Sequence, residues 1–139
     1  MTAVKQFLTY VSGAPFQPAV ARALEEGDDW VAAATRDLQD RRDQLAAGLR
    51  SVGLDPVVPQ GTYFMTTDVR PLGYDDGVAF CRDLPHRVGV VAIPHQVFYD
   101  DVAAGIPYVR WAFCKADAVI DEAVGRLARL PSSLRAVPG

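Results

Sequence analysis

Tyr108-Val109-Arg110-Trp111-Ala112-Phe113-Cys114 is the stretch on which the fold turns. Its aromatic and β-branched residues favour a strand. A side-chain period of two puts Val109, Trp111 and Phe113 on one face and Tyr108, Arg110, Ala112 and Cys114 on the other. The apolar triad belongs against a core, so Arg110 faces away from it. Periodicity alone favours a surface arginine paired with a neighbouring acid. A guanidinium fixed on a strand is also suited to a bidentate grip on a carboxylate.

Outward from this strand the chain alternates. Downstream, Ala116 to Leu130 sets Val119, Ile120, Ala123, Val124, Leu127 and Leu130 on one helical face. Upstream, His95 to Pro107 reads as a loop, and the continuous apolar run Val88 to Ile93, ended by Pro94, reads as a buried strand. Asp75-Asp76 opens a helix that runs through about Leu84 into Pro85. Leu54 to Val58 and Gly61 to Asp68 are strand signals, broken by Pro59-Gln60-Gly61. From Asp29 to Ser51, Val31, Leu38, Leu45 and Val52 recur every seven residues, with Ala34 and Leu49 on the same side and charges elsewhere. That helix exceeds 30 Å at ~1.5 Å per residue, long enough to bridge two lobes. A short helix is expected from Pro15 to Glu25, closed by Gly27. The predicted class is α+β: a long bridging helix followed by a small, mostly antiparallel sheet with helices on one face.

The 139 residues are 50% hydrophobic and 22% charged, which argues against disorder. The net charge of −3 and the absence of a basic run exclude the footprint of a nucleic-acid binder. Of the 14 basic residues only Lys5 and Lys115 are lysines. Cys81 and Cys114 read as buried free thiols rather than metal ligands, Cys81 and His86 being the nearest approach to a metal spacing. Gly and two Pro interrupt the longest uncharged stretch, Gln6 to Ala21. No signal peptide or membrane span is expected, and a cytoplasmic location follows as the default.

Gly61-Thr62-Tyr63-Phe64 is a second candidate, since a glycine at a strand start admits close approach and paired aromatics can wall a pocket. A corner glycine followed by core aromatics fits the same residues. His86 and His95 have no triad partners. His95, following Ile93-Pro94, is placed to line a site, but a loop histidine also reads simply as solvated.

In order and spacing, Val4 to Tyr10, Gly13-Ala14-Pro15-Phe16-Gln17, Arg41 to Leu45, Gly61 to Phe64, Val91 to Pro94 with Phe98-Tyr99, and Val109 to Lys115 resemble the C-terminal part of fold-type-I, pyridoxal-phosphate-dependent class I/II aminotransferases. The wording is most similar to the N-succinyldiaminopimelate aminotransferases among them. The resemblance covers residues 4 to about 130. It implies that Arg110 binds the substrate α-carboxylate, that Tyr63 lines the substrate pocket, and that Tyr10 reaches toward a partner subunit's active site. It also implies a division into a remnant of the large cofactor-binding domain (1–28), an interdomain helix (29–52), a small domain (53–131) and a tail (132–139).

In that family a Schiff-base lysine, an aspartate and further groups hold pyridoxal 5'-phosphate, and all of them precede the stretch matching Val4. Lys5 and Lys115 lack the family's Ser-x-x-Lys surroundings. The resemblance therefore implies that the cofactor belongs to the complete enzyme, with no catalytic residue and no covalent cofactor bond in this chain. The expected partners are an amino acid or 2-oxo acid and, in the full enzyme, a second subunit. Two other readings stand beside it: a non-catalytic carboxylate-binding or assembly module that complements a separate N-terminal part, and a truncated gene product. The apolar stretch Phe7 to Phe16 and the apolar face of the long helix would leave an exposed patch, so association is expected.

Overall fold

The computed structural model describes Val4 and residues 16–130. The chain divides into two compact units, 1–37 and 38–139. In the first unit, helix α1 (Phe16–Glu26) has no buried residue, and Phe16, Val20 and Leu24 are exposed. Helix α2 (Asp28–Ser51, 24 residues) starts there with Asp28 and Asp29 in its first turn, at the positive end of its dipole. Its seven-residue face is only partly covered, and Val31 is 55% exposed.

In the second unit the rest of α2 buries Leu45, Ala46 and Leu49. Strands β1 (Pro56–Val57), β2 (Phe64–Asp68), β3 (Ile93–Pro94) and β4 (Tyr108–Ala112) form an antiparallel sheet in the order β1-β2-β4-β3. Helices α3 (Gly77–Val88), α4 (Val102–Gly105) and α5 (Asp117–Leu127) complete the unit. One core joins Leu49 of α2, Phe80 and Leu84 of α3 and Leu127 of α5 to Met65, Val109 and Trp111 of the sheet. Arg41 donates to Asp117 at 2.6 Å, and Gln44 donates to Asp121, tying α2 to α5. The α+β architecture expected from the sequence is the one found.

Several details differ from expectation. Helix α3 continues through Pro85 to Val88 and ends at Gly89, whose N–H bonds to the Pro85 carbonyl. A proline this near the C-terminus removes one helical hydrogen bond, and the final turn survives on its cap. The run Val88 to Ile93 is not a fully buried strand. Val90 and Ala92 are buried while Val91 is 73% exposed, the one-sided pattern of an edge, and only Ile93–Pro94 pair with β4. The supposed loop holds a 3-10 turn, His95–Phe98, and helix α4, which Asp101 caps by accepting from Ala103 N–H at 3.1 Å. Val119 is exposed rather than part of the buried face of α5, and Cys114 lies exposed beyond the end of β4, so only Cys81 is substantially buried.

Candidate functional site

Strand β4 divides its side chains as the alternation requires. Val109, Trp111 and Phe113 are buried, while Arg110 is half-buried on the opposite face. The register makes Arg110 the Cα partner of Thr66 on β2 and of Ile93 on β3, and pairs Phe64 with Ala112. On this face the Arg110 guanidinium carbon lies 4.5 Å from the Phe64 ring centroid and 4.2 Å from that of Phe98. Both distances are within cation–π range. Among the described residues no carboxylate pairs with Arg110, whereas Arg22, Arg41, Arg42, Arg50, Arg70, Arg87 and Arg126 all form ion pairs. The plain reading of a surface arginine with an acidic neighbour does not hold. The guanidinium is oriented by two rings, and its hydrogen-bonding edge is free of acid.

The 3-10 turn brings Phe98 to this place. Helix α4 packs against the turn so closely that a Cβ at Gly105 would sit 2.7 Å from Gln96 Cα, which makes a glycine necessary there. Gln96 also donates to Asp76 at 3.2 Å. His95, at the head of the turn, is not solvated: its Nε2 is 2.8 Å from the Thr66 hydroxyl, and its ring meets those of Phe98 and Tyr99 edge-on at 6.4 and 5.8 Å. Its Nδ1 is buried with no hydrogen-bond partner among the described residues. Burial and, secondarily, the charge of Arg110 hold the imidazole below its ordinary value of 6.5.

Of the residues singled out in the sequence, Arg110 stands at the centre of this cluster. Tyr63 is 52% exposed and stacks edge-on against Phe64 at 5.8 Å, one ring removed from the guanidinium. It follows Thr62, whose φ of +63° is a strained conformation for a β-branched residue. Tyr10 lies outside the described residues. The sequence reading assigned no role to Phe98 or Thr66. Period two could have put Thr66 and Phe64 on one face of β2, but nothing local indicates that this face is shared with Arg110.

The aldehyde cofactor implied by the resemblance is held through a lysine amine. Lys115 is the single described lysine and is exposed. It lines a groove of about 440 Å³ together with Arg110, Ile93, Val91, Ala112 and Glu122.

The profile of aminotransferase class I and II matches residues 1–127. The chain is 51% identical to a probable N-succinyldiaminopimelate aminotransferase of Mycobacterium tuberculosis, over 92% of this chain and 34% of that protein. It is 34% identical to a kynurenine–oxoglutarate transaminase of Dictyostelium discoideum, over 90% of this chain and 33% of that protein. Among solved structures, N-succinyldiaminopimelate aminotransferase from Mycobacterium tuberculosis superposes with a TM-score of 0.83 at 53% identity, covering 92% of this chain and 33% of the other. The chain thus spans about a third of the length of the relatives it matches. The chain belongs to the class I and II aminotransferases.

Proposed function

We propose that this chain supplies the carboxylate-gripping part of an amino-acid aminotransferase, with Arg110 taking the substrate α-carboxylate. The observation that carries this reading is the half-buried guanidinium between Phe64 and Phe98 with no carboxylate partner among the described residues. A planar fork stacked between two rings offers parallel N–H donors to a carboxylate and loses little rotational freedom on binding. Tyr63 walls the same pocket through its contact with Phe64, and Tyr10 serves a neighbouring subunit. Pyridoxal 5'-phosphate and its Schiff-base lysine belong to the remainder of a complete, homodimeric, cytoplasmic enzyme. Residues 1–28 then belong to the large domain, 29–52 to the interdomain helix and 53–131 to the small domain. The 51% identity to its mycobacterial relative supports N-succinyldiaminopimelate as the amino donor.

Two measurements on the pure chain test this. Succinate or 2-oxoglutarate is titrated while binding is followed by calorimetry, and Arg110→Lys and Arg110→Ala should both abolish the heat. Lysine keeps the charge but neither stacks nor forks. Retained binding in both variants overturns the role of Arg110. Separately, pyridoxal phosphate and an amino donor are added with borohydride. A label trapped on Lys5 or Lys115, together with turnover, would contradict the assignment of the cofactor lysine to another part of the enzyme.

A second reading has its own observation. Phe16, Val20, Leu24 and Trp30 are all exposed on α1 and the start of α2, a concentration of apolar surface that suits an assembly module. Co-purification with a separately encoded N-terminal polypeptide that restores transamination would favour that reading. A clean monomer at micromolar concentration would count against it.

A further inference from the structure

The reading of Arg110 as a carboxylate grip leaves open what holds its two rings at their spacing. Thr66 and Ile93 are both Cα partners of Arg110, on opposite sides of β4. Strands in a sheet lie ~4.8 Å apart, so β2 and β3 are separated by roughly 10 Å with the Arg110 strand between them. His95 follows Ile93 by two residues, and its side chain bonds to Thr66 on β2. That bond bridges the two strands flanking Arg110.

The 3-10 turn His95–Phe98 follows directly from β3 and has further anchors. Its N-cap, Pro94, makes no side-chain cap bond. Gln96 ties the turn to Asp76 at the head of α3, and Gly105 ties it to α4. Among the described residues, the hydrogen bond from His95 ties it to β2, the strand that carries Phe64. The two rings on the guanidinium come one from the turn and one from β2, and this bond links the two elements that carry them. We propose that His95 is a positioning residue for Arg110, latching the turn that carries Phe98 to the strand that carries Phe64. The inference rests on the proposed role of Arg110 in binding.

The latch works in its neutral form. In either tautomer Nε2 and the Thr66 hydroxyl can pair, one donating and the other accepting. An imidazolium would instead bury a positive charge beside that of Arg110, with its Nδ1–H unpaired, and that cost pulls the ring from its place. The titratable and charged groups on the packed elements are Arg110 and Tyr108 on β4, Asp68 on β2, Asp76 before α3, Asp100 and Asp101 before α4, and Tyr99 after the turn. Asp68 is engaged by Arg70, Asp76 accepts from Gln96 and from Val78 N–H, and Asp101 caps α4. Arg110 is the charge that acts on the imidazole, and it opposes protonation.

The test follows the Arg110 Nε–H resonance of the full chain by NMR, with and without succinate, from pH 7.5 to 5. The rings of Phe64 and Phe98 should displace that signal and slow its exchange. His95→Ala and Thr66→Val should both remove the displacement and weaken succinate about tenfold, the scale of one hydrogen bond. His95→Gln keeps a donor for Thr66 and should retain both properties, and it should lose the acid-side decline expected of wild type once the pH falls below the lowered pKa of His95. An unchanged Arg110 signal in Thr66→Val, or the same acid decline in His95→Gln, overturns the latch. If His95→Ala fails to fold, the near-isosteric Thr66→Val decides. If wild type binds no succinate at any pH, the carboxylate reading fails, and the Arg110 signal alone judges the latch.

Discussion

Trp111 donates its indole Nε1–H to the Thr67 hydroxyl at 2.8 Å, in the buried face of the sheet. Trp111 and Arg110 are neighbours on opposite faces of β4, so the bond that seats one ring in the core also fixes the side from which the guanidinium projects. Thr67 is 1% exposed, and no water can replace its hydroxyl. Thr67→Val keeps the shape and leaves the indole N–H unsatisfied, at a cost of ~1–3 kcal/mol. Urea unfolding of the two proteins should show this as a lower midpoint with an unchanged slope.

Helices α2 and α5 meet at Gly48. A Cβ there would lie 2.4 Å from one Val124 methyl and 2.8 Å from the other, and a β-branched side chain cannot easily turn aside. Gly48→Ala is therefore expected to destabilise by about 1–3 kcal/mol despite the better helix propensity of alanine. Adding Val124→Ala removes the clash, and the double variant should recover most of the loss. A thermal-unfolding double-mutant cycle with a large, opposite-signed coupling confirms the contact. Additive effects would refute it.

The two thiols should react very differently. Burial, with a smaller contribution from Asp76, pushes Cys81 up to about 12, so almost none of it is thiolate near neutrality. Cys114 is exposed. An aromatic disulfide reagent at pH 8 should label one thiol quickly, and Cys114→Ser should abolish that fast phase. A fast phase that survives the substitution would place Cys81 at the surface.

Tyr74 donates its hydroxyl to Asp83 at 2.7 Å, and this bond, with help from Arg87, holds the carboxyl below its ordinary value of 3.8. A depressed carboxylate contributes stability above the unfolded value and loses it as pH falls through the folded one. Tyr74→Phe removes the larger cause. The variant should be less stable at pH 6 by no more than about 1 kcal/mol, because Asp83 is half exposed. The difference should close as the pH is taken below 3.8. Denaturant midpoints of both proteins at pH 6 and pH 3 check this, and a gap that stays constant would mean that Asp83 is not the linked group.

What the sequence determined by itself is local. Alternation in Tyr108 to Cys114 was enough to separate Val109, Trp111 and Phe113 from Arg110, because a strand's period of two depends on no other segment. Asp76 before α3 and Asp28-Asp29 at the head of α2 announced their helices, since capping and the helix dipole act within one turn. The family was legible for a related reason: its motifs are short and their order survives in one dimension. Tertiary structure decided the rest. The meeting of Phe64, Phe98 and Arg110 depends on the register of β2 and β3 against β4 and on a 3-10 turn inside what reads as a loop. His95 changed from a solvated histidine to a bonded one because Thr66 lies two strands away, a relation that no local pattern encodes. Val31 and Val119 fit their helical stripes yet stand exposed, because a periodic apolar face states what a helix can bury, and only the surrounding chain determines what covers it.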